Sequence, residues 1–273
     1  MAFIAKGLKF AATATAMLGL SVAGASAASC GKSSAGFETW KQEFAQEAAA
    51  NGVGSRGLSA LAKTSYARKT ISVDRAVHKA FSGSVDSFMK RRGGTTIISK
   101  GRSLKKQNAA LFASIEKRYG VPAGPLLAIW GMETGFGAAM GNQNTMSAVA
   151  TLAYDCRRPA FFTPHLYGAL ELVDRGSLTS ASVGAAHGEI GHTQFLPANV
   201  VKYGVDGNGD GRIDLKNKAD ALASTANFPR GHGWNRGASY QPGQPNYGAI
   251  AGWNSASVYQ QAIAIMGGAI DGN

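Results

Sequence analysis

Glu133 is the only charged residue between Tyr119 and Gly141, a stretch that reads Tyr-Gly-Val-Pro-Ala-Gly-Pro-Leu-Leu-Ala-Ile-Trp-Gly-Met-Glu-Thr-Gly-Phe-Gly-Ala-Ala-Met-Gly. An apolar helical segment delivers this carboxylate, and a turn of small residues follows at once. Burying a carboxylate without a partner is costly, and the usual escape is for it to stay protonated. A carboxylic acid that keeps its proton at neutral pH is a general acid, the group that can protonate a leaving glycosidic oxygen. The competing reading is a helix-end glutamate facing solvent.

A second constellation runs Asp206-Gly-Asn208-Gly-Asp210-Gly211-Arg212-Ile213-Asp214. Oxygen ligands at alternate positions, then a glycine at the sharp turn, make the start of an EF-hand loop, in which Arg212 would ligate through its backbone carbonyl. Position 12 is Asn217 in place of the usual glutamate, and Asp220 three residues on could close a longer loop. The ion implied is Ca²⁺, in a structural role; the bland alternative is a polar Gly-Asp turn. The segment Gly188-Glu189-Ile190-Gly191-His192-Thr193-Gln194-Phe195-Leu196-Pro197 combines small residues, which admit a ligand close to backbone, with the donor and acceptor of Gln194. Asn254 in Gly252-Trp253-Asn254 is a weaker polar candidate of the same kind. His187, His192 and His232 do not fall at a zinc spacing, and no nucleophile elbow or phosphate loop is present.

The elements that must hold these groups are mainly helical. Phe37, Trp40, Phe44 and Ala48 recur at helical spacing until Gly52 and Gly54. Short amphipathic pieces follow at Leu58–Tyr66, Val73–Phe81 and Val85–Met89. Leu104, Leu111, Phe112, Ile115 and Tyr119 share one helix face, Gly120 ends it, and Pro122 opens the helix towards Glu133. Further helices are expected at Thr145–Tyr154, Phe161–Val173, Phe195–Tyr203, Asp220–Phe228 and Ser255–Met266. Thr95-Thr96-Ile97-Ile98 reads as a short strand or an extended connection, and residues 239–250 as a mobile loop. Lys90 to Lys106 carries seven cations and no acid, which is either a solvated face or a polymer-contacting one.

Residues 1–27 have the pattern of a cleavable secretory signal: Lys6 and Lys9, an apolar run from Phe10 to Leu20, and Ala25-Ser26-Ala27. The mature chain would be residues 28–273, with a helical part over 28–105, a core over 106–273 that contains the metal loop 206–220, and no appended C-terminal binding module. Net charge is +12, and removing Lys6 and Lys9 leaves +10. An exported chain so basic, without aromatic-basic repeats, fits an anionic wall polymer better than nucleic acid. Cys30 and Cys156 most simply form one disulfide in that compartment. A lipidated Cys30 is the alternative, disfavoured because Ala27-Ala28-Ser29 lacks the usual large aliphatic residue.

Together these blocks resemble the lytic murein transglycosylase B family. Tyr119-Gly120-Val121-Pro122 leading to Trp130-Gly131-Met132-Glu133-Thr134 resembles its catalytic-glutamate block, and Thr151-Leu152 through Arg157-Arg158 the helix after it. Gly191 to Pro197 resembles its Gly-x-x-Gln-Phe-Met-Pro block. Asp206 to Asp214, Ala219-Asp220-Ala221, Ala226-Asn227 and Gly231-His232-Gly233-Trp234 resemble its calcium segment and next helix. The resemblance implies a mainly α, lysozyme-like core with an additional N-terminal helical lobe and minor β structure. It implies a periplasmic enzyme, monomeric, acting on peptidoglycan glycan strands. Glu133 would act alone, first as acid and then as base, to form 1,6-anhydro ends. Arg157, Arg158, Gln194 and Asn254 would line or bind along the cleft; Glu189, read from its Gly-rich turn and not from the resemblance, is a further substrate-binding candidate or a structural acid bonded to backbone amides. Asp206, Asn208, Asp210, the Arg212 carbonyl and Asp220 would hold Ca²⁺.

Three positions depart from that family's pattern: Ala185 where a serine is usual, Phe228 where a tyrosine is usual, and Pro229, which is expected to end its helix early. Two rivals remain at this stage. A hydrolytic muramidase would need a second carboxylate, for which Asp155 and Glu189 are the candidates. A non-catalytic wall-binding protein would keep the fold and basic face alone.

Overall fold

The computed structural model describes residues 28–76 and 81–272; the expected signal at 1–27 and the middle of the Val73–Phe81 helix lie outside them. The described residues form thirteen α-helices and one two-stranded ribbon. They are α1 (Phe37–Ala50), α2 (Ser55–Ala62), α3 (Arg68–Ala76), α4 (Val85–Arg91), α5 (Gly94–Gln107), α6 (Ala109–Tyr119) and α7 (Ala123–Thr134). After β1 (Gln143–Asn144) come α8 (Thr145–Tyr154) and α9 (Pro159–Asp174), and after β2 (Val183–Gly184) come α10 (Pro197–Tyr203), α11 (Lys218–Arg230), α12 (Tyr247–Trp253) and α13 (Ser257–Asp271).

Packing divides the chain differently from the boundary expected at 105. The aromatic face of α1 (Phe37, Trp40, Phe44) and Leu61 of α2 pack on α8 and α9, through Met146, Tyr154, Phe162, Leu166 and Leu170. Helices α4 to α6 instead join α7, α11, α12 and α13 around Leu126, Leu127, Ile263 and Met266. Sequential neighbours are thus shared between two cores. A third, smaller core of Leu172, Ile190, Phe195, Val200, Tyr203, Leu215 and Phe228 lies where α9, α10 and α11 meet.

Helix α7 is apolar all round because it is enclosed on every side. Its close crossing with α13 depends on Gly124: a Cβ there would sit 2.2 Å from the Gly267 carbonyl oxygen. Asp271 at the end of α13 accepts the Gly124 amide at 2.9 Å and so tethers the start of α7. The helix begins at Ala123, which makes Pro122 its N-cap and leaves Pro125 as the first-turn proline. Its other end closes through Gly135 at φ 59°, with the amides of Gly135 and Phe136 returning to the Gly131 and Trp130 carbonyls.

Three local expectations are corrected. Thr95 to Ile98 lie inside α5: the β preference of their side chains yields to the burial of Ile97 against α7. Pro229 does not stop α11, which runs on to Arg230; one missing amide in a last turn costs little, and Gly231 still donates to the Asn227 carbonyl. Residues 239–250 are tied down by buried Tyr240 and by Asn246, whose side chain bonds the backbone of Asn235 and Ala238. The disulfide joins Cys30 to Cys156, with Cα atoms 5.0 Å apart. No helix of the described residues is long and apolar enough to cross a membrane.

Candidate active site

Glu133 stands on the last turn of α7 and opens into a cleft of about 890 Å³. Its carboxylate is mostly enclosed. The Tyr259 hydroxyl on α13 and, at 3.4 Å, the Trp253 indole N–H both donate to its Oε1. Burial is the largest influence and raises its pKa from the ordinary 4.5 to about 7; the bonds from Tyr259 and Trp253 and the charge of Arg92 pull it down, and the charge of Glu189 pushes it up. A group poised there can give a proton at neutral pH and take one back.

Gln194 faces the same cleft from a strained position, φ 55°, in the turn before α10. Its amide nitrogen donates to the Gly191 carbonyl at 2.7 Å and to the Met140 carbonyl at 3.4 Å, which leaves the side-chain oxygen for a ligand. This turn is fastened to α7 through His192. The Trp130 indole donates to its Nδ1 at 3.1 Å, and the Thr134 hydroxyl to its carbonyl at 2.6 Å. The ribbon pairs Gln143 with Gly184 and Asn144 with Val183, closing the turn after Glu133 onto the segment that leads to Gln194. Asn254 also lines the cleft, where its Oδ1 accepts the Ala256 amide at 2.9 Å.

Glu189 lies in the cleft wall and Asp155 does not. Asp155 is buried against Arg75 at 2.7 Å and accepts the Arg157 amide. Burial would raise the Glu189 pKa, but bonds from the His187 ring and amide outweigh it and hold the carboxyl below the usual range. Glu189 is therefore ionised where Glu133 is protonated, two carboxyls in one cleft driven apart by their surroundings.

The paired arginines part company. Arg158 lines the cleft, with its guanidinium over the rings of Phe161 and Phe162. Arg157 is not among the lining residues: its guanidinium bonds the carboxylate and the carbonyl of buried Asp74. Arg158 reaches the same Asp74, and one oxygen of that carboxylate lies 3.5 Å from His187 Nε2.

Sequence reasoning missed Tyr259, Trp253 and Phe161 as cleft residues, and had Arg92 only as one cation of the Lys90–Lys106 stretch. Tyr259 and Trp253 could only have been found by knowing how α13 and the end of α12 pack onto the core that holds α7. Phe161, half exposed beside an arginine, was visible as an apolar residue next to the Arg157-Arg158 pair.

The loop Asp206 to Asp214 wraps around its own oxygens. Asp206 accepts the amides of Gly209, Asp210 and Gly211, and the Asn208 side chain bonds Asp210. Asp220 is fully buried, and its two oxygens accept the amides of Gly207, Asn208 and Asp214. Asp206, Asn208, Asp210 and the Arg212 carbonyl make a hard, oxygen-only donor set that suits Ca²⁺. Asp220 is occupied as a clamp on the loop. Among the described residues no three of His, Cys, Asp and Glu gather as a metal-holding group. The loop is coupled to the cleft, since the amide of His192 donates to the carbonyl of Leu215 just beyond it at 2.9 Å.

Comparison with known proteins fits this geometry. Residues 36–244 match the family model described as transglycosylase SLT domain. Over 137 residues the chain is 36% identical to membrane-bound lytic murein transglycosylase B of Escherichia coli K12, a match spanning 47% of this chain and 38% of that relative's length. Its fold is similar to that of SltB3 from Pseudomonas aeruginosa, solved in complex with NAG-anhNAM-pentapeptide, with TM-score 0.78, 26% identity, and 87% of this chain and 80% of that one covered. It is also similar in fold to Escherichia coli SLT35 in complex with calcium, with TM-score 0.73, 22% identity, and 85% and 92% covered.

Proposed function

The chain belongs to the transglycosylase SLT domain family, and from that premise we propose that it is a lytic murein transglycosylase cleaving the β-1,4 bond from N-acetylmuramic acid to N-acetylglucosamine. The observation that carries this reading is Glu133, an acid with its pKa raised to about 7 at the floor of a polymer-sized cleft. Protonated Glu133 gives its proton to the glycosidic oxygen as the bond to C1 breaks. The resulting carboxylate takes the proton from the muramyl C6 hydroxyl as that oxygen bonds C1. The product is a 1,6-anhydro end, no water is consumed, and Glu133 is returned to its acid form. Tyr259 and Trp253 orient the carboxyl oxygen through both steps. The Gln194 oxygen, Asn254 and Arg158 bind the strand along the cleft.

One observation favours a second reading. Glu189 is an ionised carboxylate in the same cleft, as a hydrolytic muramidase would require. Mass spectrometry of digested peptidoglycan separates the two: anhydro-muropeptides support the lyase, and reducing ends carrying one added water refute it. Glu133→Gln should abolish lysis while strand binding persists; lysis by this variant would remove Glu133 from the mechanism.

We further infer that the loop Asp206 to Asp214 binds Ca²⁺ as a structural ion, on the strength of its oxygen donors. A melting curve unmoved between Ca²⁺ and chelator would refute this. The periplasm is the compartment we propose, reached through the secretory pattern at residues 1–27.

A further inference from the structure

Glu189 differs from the other polar groups of the cleft in how it is held. Both of its oxygens are bonded by one residue: the His187 amide donates to Oε2 at 2.8 Å, and the His187 ring nitrogen Nδ1 lies 2.9 Å from Oε1. The His187 ring stacks on Phe162 at 6.5 Å, and its Nε2 lies 3.5 Å from an oxygen of Asp74. Asp74 is itself anchored by Arg157 and Arg158. The backbone of Glu189 is pinned as well, since its carbonyl accepts the Ala185 amide at 2.9 Å. Half-buried side chains backed by the buried Asp74 therefore lead to a carboxylate that faces the cleft and cannot easily turn.

A carboxylate with both oxygens engaged is a poor base and a poor nucleophile, because attack would break bonds that hold it. Its charge remains, and in a partly enclosed cleft a fixed charge acts at greater strength than in water. Bond cleavage at C1 develops positive charge on the muramyl ring, and the acid that starts it must be neutral. Resting on the lyase reading above, we infer that Glu189 is an electrostatic positioning residue: a fixed negative charge that keeps Glu133 in its acid form and favours the cationic ring in the transition state.

The other titratable or charged groups around the pair are Arg92 and Tyr259 near Glu133, and His187, Asp74 and Arg158 behind Glu189. His165, Lys202 and His232 line the rest of the cleft. Loss of the Glu189 charge leaves Arg92 unopposed, so the Glu133 carboxylate form is favoured and the acid form fails at lower pH.

The test is the pH–rate profile of the full chain on purified peptidoglycan, read as released anhydro-muropeptides. Glu189→Gln keeps the shape and one acceptor. The expected result is a fall in kcat of about tenfold, KM within about twofold, and an alkaline limb moved about one pH unit lower. Glu189→Ser removes the same charge with a smaller side chain and should move the limb the same way. A folded Glu189→Gln with wild-type kcat and limb overturns the inference, as does an unmoved limb in Glu189→Ser should Glu189→Gln fail to fold. A wild-type protein that yields no anhydro ends sinks the function reading instead, so the two failures are distinguishable.

Discussion

Replacing Glu133 by Gln should stabilise the protein while destroying its activity, and the gain should depend on pH in a definite way. The folded state holds the Glu133 proton up to about pH 7, whereas an ordinary glutamate releases it near 4.5. A carboxyl with a raised folded pKa contributes stability that is fully present below the unfolded value and is lost as pH rises through the folded one. The rise from 4.5 to about 7 corresponds to about 3 kcal/mol. The cleft mouth admits water to part of the group, so about 2 kcal/mol is the working figure. Gln keeps the oxygen that accepts from Tyr259 and Trp253 but never has to be ionised.

Wild type and variant should thus be nearly equal at pH 4, diverge between 4.5 and 7, and stay apart above pH 8 with the variant more stable. For a chain of this size about 2 kcal/mol is roughly 4–8 °C in melting temperature. Denaturant titrations at pH 4, 6 and 8 would measure the gap directly. A gap constant across that range, or largest at pH 4, would refute the claim that Glu133 is a buried acid.

Three further outcomes follow from named contacts. Tyr259→Phe removes a donor that favours the Glu133 carboxylate, so the alkaline limb of the pH–rate profile should move up by about one pH unit; a limb moving down would contradict it. Asp220→Ala strips an acceptor from the three amides of Gly207, Asn208 and Asp214, at a cost of about 3 kcal/mol in denaturant unfolding. Reduction of Cys30–Cys156, which spans 126 residues, should cost about 2–4 kcal/mol and make both thiols available to labelling.

How far the site was legible depended on whether its residues lie close along the chain. Glu133, the Gln194 turn and the loop at Asp206 each have a local signature, and the structure places Glu133, Gln194 and Asn254 around one cleft. The helix over Thr145–Tyr154 was readable to its ends, helped by an Asn144 cap whose side chain accepts the Ser147 amide at 2.8 Å. What stayed hidden was long-range. Asp74, outside every motif, gathers Arg157, Arg158 and His187 across more than 80 residues of chain. No spacing rule announces a partner at that distance, which is why Arg157 looked like a ligand-binding residue and instead anchors the wall.

On the proposed lyase reading, the same long-range contacts let one acid serve as the proton carrier. Glu133 is carried by a helix whose start is tethered by Asp271 and whose end is fastened to His192, so its position is set by the fold rather than by its own rotamer. Its proton affinity results from opposing influences: burial and the Glu189 charge raise it, while Tyr259, Trp253 and Arg92 lower it. Removing either side would leave a permanent acid or a permanent base, and the reaction requires both in turn. A site of this kind needs its neutralising and its charging neighbours on different elements, so that neither can relax towards the other. Here Tyr259 stands on α13, Trp253 at the end of α12 and Arg92 just after α4, while Glu189 stands on the Gly188–Pro197 turn.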